Sequence, residues 1–174
     1  MENMKETKGE NTAEPSLFRN VENKNLDCRL FGYITDLETR NSFYDHADIF
    51  LAALGNGEAQ TEMPIGKEHL DIYGFVNNAA LVAVAEEAML YSVYSLDLMA
   101  NIKSCALEYM AKGEKGQVMI AEAKVTARNE NKIFCEVTVR NQFDILLAKG
   151  SGVYEATSDF VYTYADYLRK VEGY

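Results

Sequence analysis

The most regular patterning lies in the second half of the chain. In Val118–Arg128, Ala121, Ala123, Val125 and Ala127 fall on one side of a two-residue repeat; Glu122, Lys124, Thr126 and Arg128 fall on the other. Ile133–Arg140 repeats it, with Ile133, Cys135, Val137 and Val139 opposed to Phe134, Glu136, Thr138 and Arg140. This spacing predicts antiparallel strands with one buried and one wetter face. Asn129–Lys132 and Asn141–Asp144 are of hairpin length. Ile145–Glu155 and the less regular Leu98–Met110 complete four strands. Upstream, Ala47–Leu54 is an apolar run, and Glu58–Ile65 places Ala59, Met63 and Ile65 on one face. Gly55-Asn56-Gly57 between them predicts a hairpin turn.

Between the hairpin and the four strands stands Asn77–Tyr94, NNAALVAVAEEAMLYSVY. Its alanine, leucine and methionine favour helix, and Asn77 or Asn78 can cap the first turn. The segment is apolar nearly all round, which predicts a helix buried along its length. One helix cannot cover five or six strands unless the sheet curls around it. The expected class is therefore α+β, a curved antiparallel sheet wrapped around one long buried helix. Ser158 reads as the N-cap of a final helix, with Asp159 in its first turn and Phe160, Tyr164, Tyr167, Leu168 and Val171 as its stripe. Residues 1–15 lack periodicity and read as a tail. In 16–45, Leu17, Phe18 and Val21 suit a short helix, while Leu30, Phe31 and Tyr33 need a partner surface. The division expected is a tail and extension over 1–45, the wrapped-helix domain over 46–157 and a C-terminal helix over 158–174.

Charge narrows the function. The net charge of −10 repels phosphate backbones and anionic lipid, so neither nucleic acid nor membrane is an expected partner. No window approaches the roughly 20 apolar residues of a membrane span. The first 15 residues have no apolar core of a secretory signal, so a cytoplasmic location is expected. Cys28, Cys105 and Cys135 have no metal-ligand spacing, and His46 and His69 are far apart. No metal and no cofactor are expected.

The stretch from His69 to Glu86, HLDIYGFVNNAALVAVAE, resembles the signature of the small hotdog-fold thioesterases related to phenylacetic-acid and 4-hydroxybenzoyl-CoA thioesterases. The strands Tyr109–Thr126 and Leu147–Tyr154 are also similar, so the resemblance covers roughly residues 47–157. It implies a hotdog fold, acyl-CoA thioester hydrolysis and a homodimer or homotetramer with the pocket at a subunit interface. It places Glu86 on the family's catalytic carboxylate and Asn78 on the glycine whose N–H polarises the thioester carbonyl. Asn77 takes the place of the family's histidine, and Ala79 that of its second glycine. Asp71 stands where an amide often holds the attacking water, and Leu90 where several members have Thr or Ser. Gly74 is kept.

The residues also carry plainer readings. Glu86 has Ala79, Val82, Ala83, Met89, Leu90 and Val93 as helical neighbours, and an unpaired charge among them costs several kcal/mol, about the scale of burying a lone ion. Such a residue serves a cleft or a partner, or else Glu86 and Glu87 form a narrow solvated edge. Asn77 and Asn78 read equally as a cap, Asp71 as a loop carboxylate, and His69 as a surface or loop histidine. Lys103, Lys112, Lys115, Arg128, Lys132 and Arg140 are candidate holders of CoA phosphates or ordinary surface residues. Two functions follow. One is hydrolysis of an acyl-CoA, with Glu86 as general base or nucleophile. The other is a non-catalytic acyl-binding or sensor domain, favoured by Asn77 in place of histidine.

Overall fold

The computed structural model describes residues 20–172, apart from the side chains of Tyr44 and Glu172. In chain order it contains β1 (Glu22–Lys24), α1 (Cys28–Thr39), α2 (Ser42–Ala47), β2 (Phe50–Gly55), β3 (Glu58–Pro64), a 3-10 turn (Lys67–His69), α3 (Asn78–Tyr94), β4 (Leu98–Tyr109), β5 (Val118–Asn129), β6 (Lys132–Asn141), β7 (Leu146–Asp159) and α4 (Phe160–Glu172). The seven strands make one sheet in the order β1-β2-β3-β5-β6-β7-β4. All its pairs are antiparallel except β1 with β2.

The Asn56-Gly57 turn joins β2 to β3, with Gly57 at φ +74°, a region that favours glycine. Its amide donates to Ser95 Oγ at 2.9 Å, which ties the hairpin to the end of α3. Midway along α3, Thr61 Oγ1 of β3 donates to the Val84 carbonyl at 2.9 Å. The sheet's inner face is built from small residues, so the helix approaches closely. A side chain at Gly152 would meet Met89 Sδ at 3.0 Å. Val84, Ala85, Ala88 and Met89 are fully buried there. Each large apolar side chain so enclosed stabilises the fold by about 1.5–3 kcal/mol. β4 is the irregular strand, because bulges interrupt it at Met99/Ala100 and Ile102/Ser104.

Four expectations are corrected. First, α3 is not covered along its whole length. Asn77, Asn78 and Ala79 are exposed, and Val82, Ala83, Glu86 and Leu90 are only half-buried. The sheet ends at β4, and among the described residues no strand lies beyond it to close that side. Second, residues 20–47 fold into β1, α1 and α2. Asp27 caps α1 by accepting from the Arg29 and Leu30 amides, and Leu30 and Ile34, one turn apart, bury the same face. Val21 precedes β1 rather than lining a helix; Leu17, Phe18 and the expected tail lie outside the described residues. Third, Ser158 does not cap α4, because β7 runs on to Asp159. Asp97 does so from the far side, accepting the Val161 amide on Oδ1 at 2.7 Å and the Phe160 amide on its carbonyl at 3.0 Å. Fourth, His69 is buried beneath its loop, with 6% exposure. Its Nδ1 accepts the Gly66 amide at 3.0 Å, and that contact holds the ring inside the turn.

Candidate active site

The loop before α3 is fixed by its own backbone and by one aspartate. The Asp71 amide donates to the Phe75 carbonyl at 2.7 Å, and Gly74, at φ +84°, donates to the Asp71 carbonyl at 3.1 Å. Asp71 Oδ1 accepts from the Tyr73 and Phe75 amides at 2.8 and 3.1 Å. The carboxylate thus shapes a tight turn, as Asp commonly does. That turn presents Ile72 and Tyr73 to solvent, at 91% and 76% exposure. The Asn77 amide then donates to the His69 carbonyl at 2.8 Å, and Asn77 Oδ1 caps α3 by accepting from Ala79 at 2.9 Å. Among the described residues the Asn78 amide meets no acceptor. It sits in the first helical turn, where unsatisfied N–H groups carry the positive end of the helix dipole.

Glu86 lies two turns further on, among the half-buried Val82, Ala83 and Leu90, with the exposed Ala79 at the start of the same stripe. Its carboxylate makes no hydrogen bond or ion pair with the described residues. Tyr154 of β7 donates from its hydroxyl to the Glu86 backbone carbonyl at 3.2 Å. Cys105 of β4 lies close by. Burial, and then the Glu86 charge, push the Cys105 thiol above its ordinary pKa. Burial chiefly, with the nearby thiols and the Glu86 charge adding to it, raises Tyr154 far above the usual phenol range. Cys135, across Gly152 from Cys105, is pushed up to about 11 by burial, which outweighs its contact with Ser92. All three therefore stay neutral at physiological pH.

The sequence places Glu86, Leu90 and Ala79 on one stripe, and the structure keeps them together. It separates Asn78 from Glu86: eight residues of helix span roughly 12 Å along the axis. The free edge of β4 runs beside the same stripe, with Ile102 and Tyr109 exposed on it.

Of the candidate phosphate holders, Lys103 is paired with Glu155 and Arg140 with Asp144. Arg128 Nε donates to the Glu130 carbonyl, and Lys132 lies close enough to Glu155 to lower that residue's pKa. Lys112 and Lys115 occupy the β4–β5 connection, next to the start of α3. Lys112 stands 4.3 Å over the Phe75 ring, the Val76 amide donates to the Gly113 carbonyl, and Phe75 pairs with Glu114. Sequence reasoning missed Tyr154 and Cys105 as neighbours of Glu86. The expected strands Leu98–Met110 and Ile145–Glu155 contain both but give no sign of which helix residue they would meet.

Residues 73–148 match the model of the thioesterase superfamily. A protein of Archaeoglobus fulgidus named as an esterase is 24% identical over 121 residues, covering 69% of this chain and 79% of its own. The E. coli PaaI protein from the phenylacetic acid degradation operon superposes with a TM-score of 0.73 at 17% identity. That match covers 78% of this chain and 98% of PaaI. A thioesterase-named protein of Streptococcus pneumoniae, solved with coenzyme A, gives 0.66 at 15% identity over 72% of this chain and 98% of its own.

Proposed function

Since the chain carries a hotdog domain of the thioesterase superfamily, we propose that it hydrolyses acyl-CoA thioesters with Glu86 as the catalytic carboxylate. The observation that carries this reading is the position of Glu86. It is an unpaired carboxylate, half-buried in an apolar stripe of the central helix and facing an open sheet edge.

The site works across a homodimer. The thioester carbonyl docks at the Asn78 amide of one protomer, where the helix dipole favours a developing oxyanion. The partner subunit's Glu86, brought in across the β4 edge, takes a proton from water as it attacks the carbonyl carbon. The tetrahedral intermediate collapses, the C–S bond breaks, and the CoA thiolate leaves with the proton that Glu86 held. Ala79, Leu90 and the loop from Asp71 to Gly74 line the acyl end, and Lys112 and Lys115 meet the CoA phosphates. Direct attack by Glu86, followed by hydrolysis of the acyl-enzyme, uses the same groups.

One observation favours acyl binding without turnover: the Asn77 side chain, in place of the family's histidine, is spent on capping α3. Incubating the protein with a panel of acyl-CoAs and a thiol reagent separates the two. Thiol release supports hydrolysis. Ligand-dependent thermal stabilisation without release supports a sensor.

A further inference from the structure

The 3-10 turn before the site is closed by a histidine. Gly66 caps that turn, and His69, three residues on, reaches back to accept the Gly66 amide on Nδ1 at 3.0 Å. Glutamate or glutamine ordinarily makes this return contact at a helix start. The His69 amide donates to the Gly66 carbonyl at 3.4 Å, and the His69 carbonyl accepts the Asn77 amide at 2.8 Å. The ring thus holds the turn, and the turn holds the residue before Asn78. We propose that His69 is the positioning residue for the Asn78 amide and acts only as a neutral ring, so that protonation loosens the start of α3. Its effect on catalysis rests on the hydrolytic reading above; the conformational switch does not.

A neutral imidazole has one donor and one acceptor nitrogen. Here Nδ1 is the acceptor, so the ring proton sits on Nε2, which is enclosed. A second proton enters at Nδ1 and turns the acceptor into a donor aimed at the Gly66 N–H. The bond becomes a repulsion. Another acceptor stands beside it: Glu68 Oε1 lies 3.6 Å from Nδ1, on a side chain 54% exposed and free to follow the ring. Asp48, in the link between α2 and β2, places a carboxylate oxygen within 4.8 Å of a ring nitrogen and of the Glu68 carboxylate. Lys67 flanks the ring in its own turn, and α3 contributes the neutral Asn77. The charged ring therefore leaves Gly66 for Glu68, and the carbonyl that holds Asn77 moves with it. Histidine is the side chain that changes charge between about pH 5 and 8, so the exchange falls in the working range. His46 supplies the contrast. Its Nδ1 lies 2.7 Å from the Ser42 carbonyl and already donates there, so a second proton disturbs no bond.

The test compares full-length wild type with His69→Gln between about pH 8 and pH 5, the range in which histidine titrates. Glutamine keeps the capping acceptor at every pH. In wild type, ring-nitrogen NMR signals should show a bare Nδ1 at the upper end. As His69 titrates, protection of the Gly66 and Asn77 amides against hydrogen exchange should fall about 2–10-fold, the scale of one buried hydrogen bond. In His69→Gln that protection should be independent of pH. Thiol release from an acyl-CoA gives the second reading. The ratio of wild-type kcat to that of His69→Gln cancels the titration of Glu86, which both proteins share. It should be near unity at the upper end and fall about 10-fold at the lower, short of the roughly 10²–10³-fold for deleting an oxyanion donor outright. Absence of thiol release at every pH would sink the hydrolytic reading and the positioning role with it, while amide protection still decides the switch. A ring that stays neutral throughout, amide protection that ignores its titration, or a kcat ratio that is flat with pH would overturn the proposal.

Discussion

The Tyr154 hydroxyl donates to the backbone carbonyl of Glu86 at 3.2 Å, fastening β7 to α3 at the residue proposed to carry the chemistry. Burial keeps that phenol neutral, so the bond persists across the working pH range. Tyr154→Phe removes one buried hydrogen bond and should cost about 0.5–1.5 kcal/mol in a denaturant melt. Because the bond holds backbone rather than carboxylate, kcat should fall only a few-fold, with KM nearly unchanged.

A second link joins the extension to the C-terminal helix. The Tyr164 hydroxyl donates to Asp36 Oδ2 at 2.6 Å, and Arg40 pairs with the same carboxylate. Burial works against the charge of Asp36, but the Tyr164 hydroxyl and Arg40 outweigh it and hold the carboxyl below its ordinary range. A lowered carboxylate pKa contributes stability that is present above the unfolded-state value and lost as pH falls through the folded-state value. Tyr164→Phe should therefore destabilise by about 1 kcal/mol at pH 7, the scale for a partly exposed charged bond. The difference from wild type should shrink as pH falls below 4, and paired melts at pH 7 and pH 3 check it.

Asp97→Ala removes the side-chain cap of α4 and should cost about 1–2 kcal/mol. Asp97→Asn keeps an acceptor and tolerates the left-handed conformation at φ +59°, so it should recover most of that loss. Comparing the two in urea reads the lost cap together with the strain of alanine at a left-handed position.

How much of this was legible from the chain follows from the range of the forces involved. Period-two alternation marked β5 and β6, and the all-apolar run marked α3, because burial on both sides writes itself into consecutive residues. The cap of α3 by Asn77 is local and readable. The cap of α4 is not, since Asp97 reaches across 64 positions to Val161. α1 carried a local signal that went unread: Asp27 before an Arg29–Leu30 start, then Leu30 and Ile34 one turn apart. The parallel pairing of β1 with β2 leaves no mark in three polar residues. His69 looked like a surface residue because nothing local shows that Gly66 will fold an amide onto its ring. Glu86 was legible as a misfit among apolar neighbours, whereas Tyr154 and Cys105 beside it depend on sheet register.

The roughly 12 Å between Asn78 and Glu86 predicts a site shared by two chains. Sedimentation at micromolar concentration should show a dimer or larger, and a stable monomer would contradict it. Asn78→Pro is a sharp probe. Proline suits the first helical position, and Asn77 at ψ 138° is compatible with a following proline, yet the N–H is gone. Its kcat should fall about 10²–10³-fold, the scale for one oxyanion donor. Subunits of Asn78→Pro and Glu86→Gln, each inactive alone, should regain about a quarter of wild-type activity when mixed and allowed to exchange. Half of the dimers are then mixed and hold one intact site of two.

The most direct test of the central claim is thiol release by Glu86→Gln, measured beside wild type and Glu87→Gln on the best acyl-CoA of the panel. The amide keeps the shape of the side chain but can neither take a proton nor attack. Glu86→Gln should lose at least ~100-fold in kcat, the usual scale for removing a general base, while Glu87→Gln stays close to wild type. Stability should hold or rise slightly, because a poorly solvated charge is removed. Equal thiol release by wild type and Glu86→Gln would contradict the assignment of Glu86 as the catalytic carboxylate.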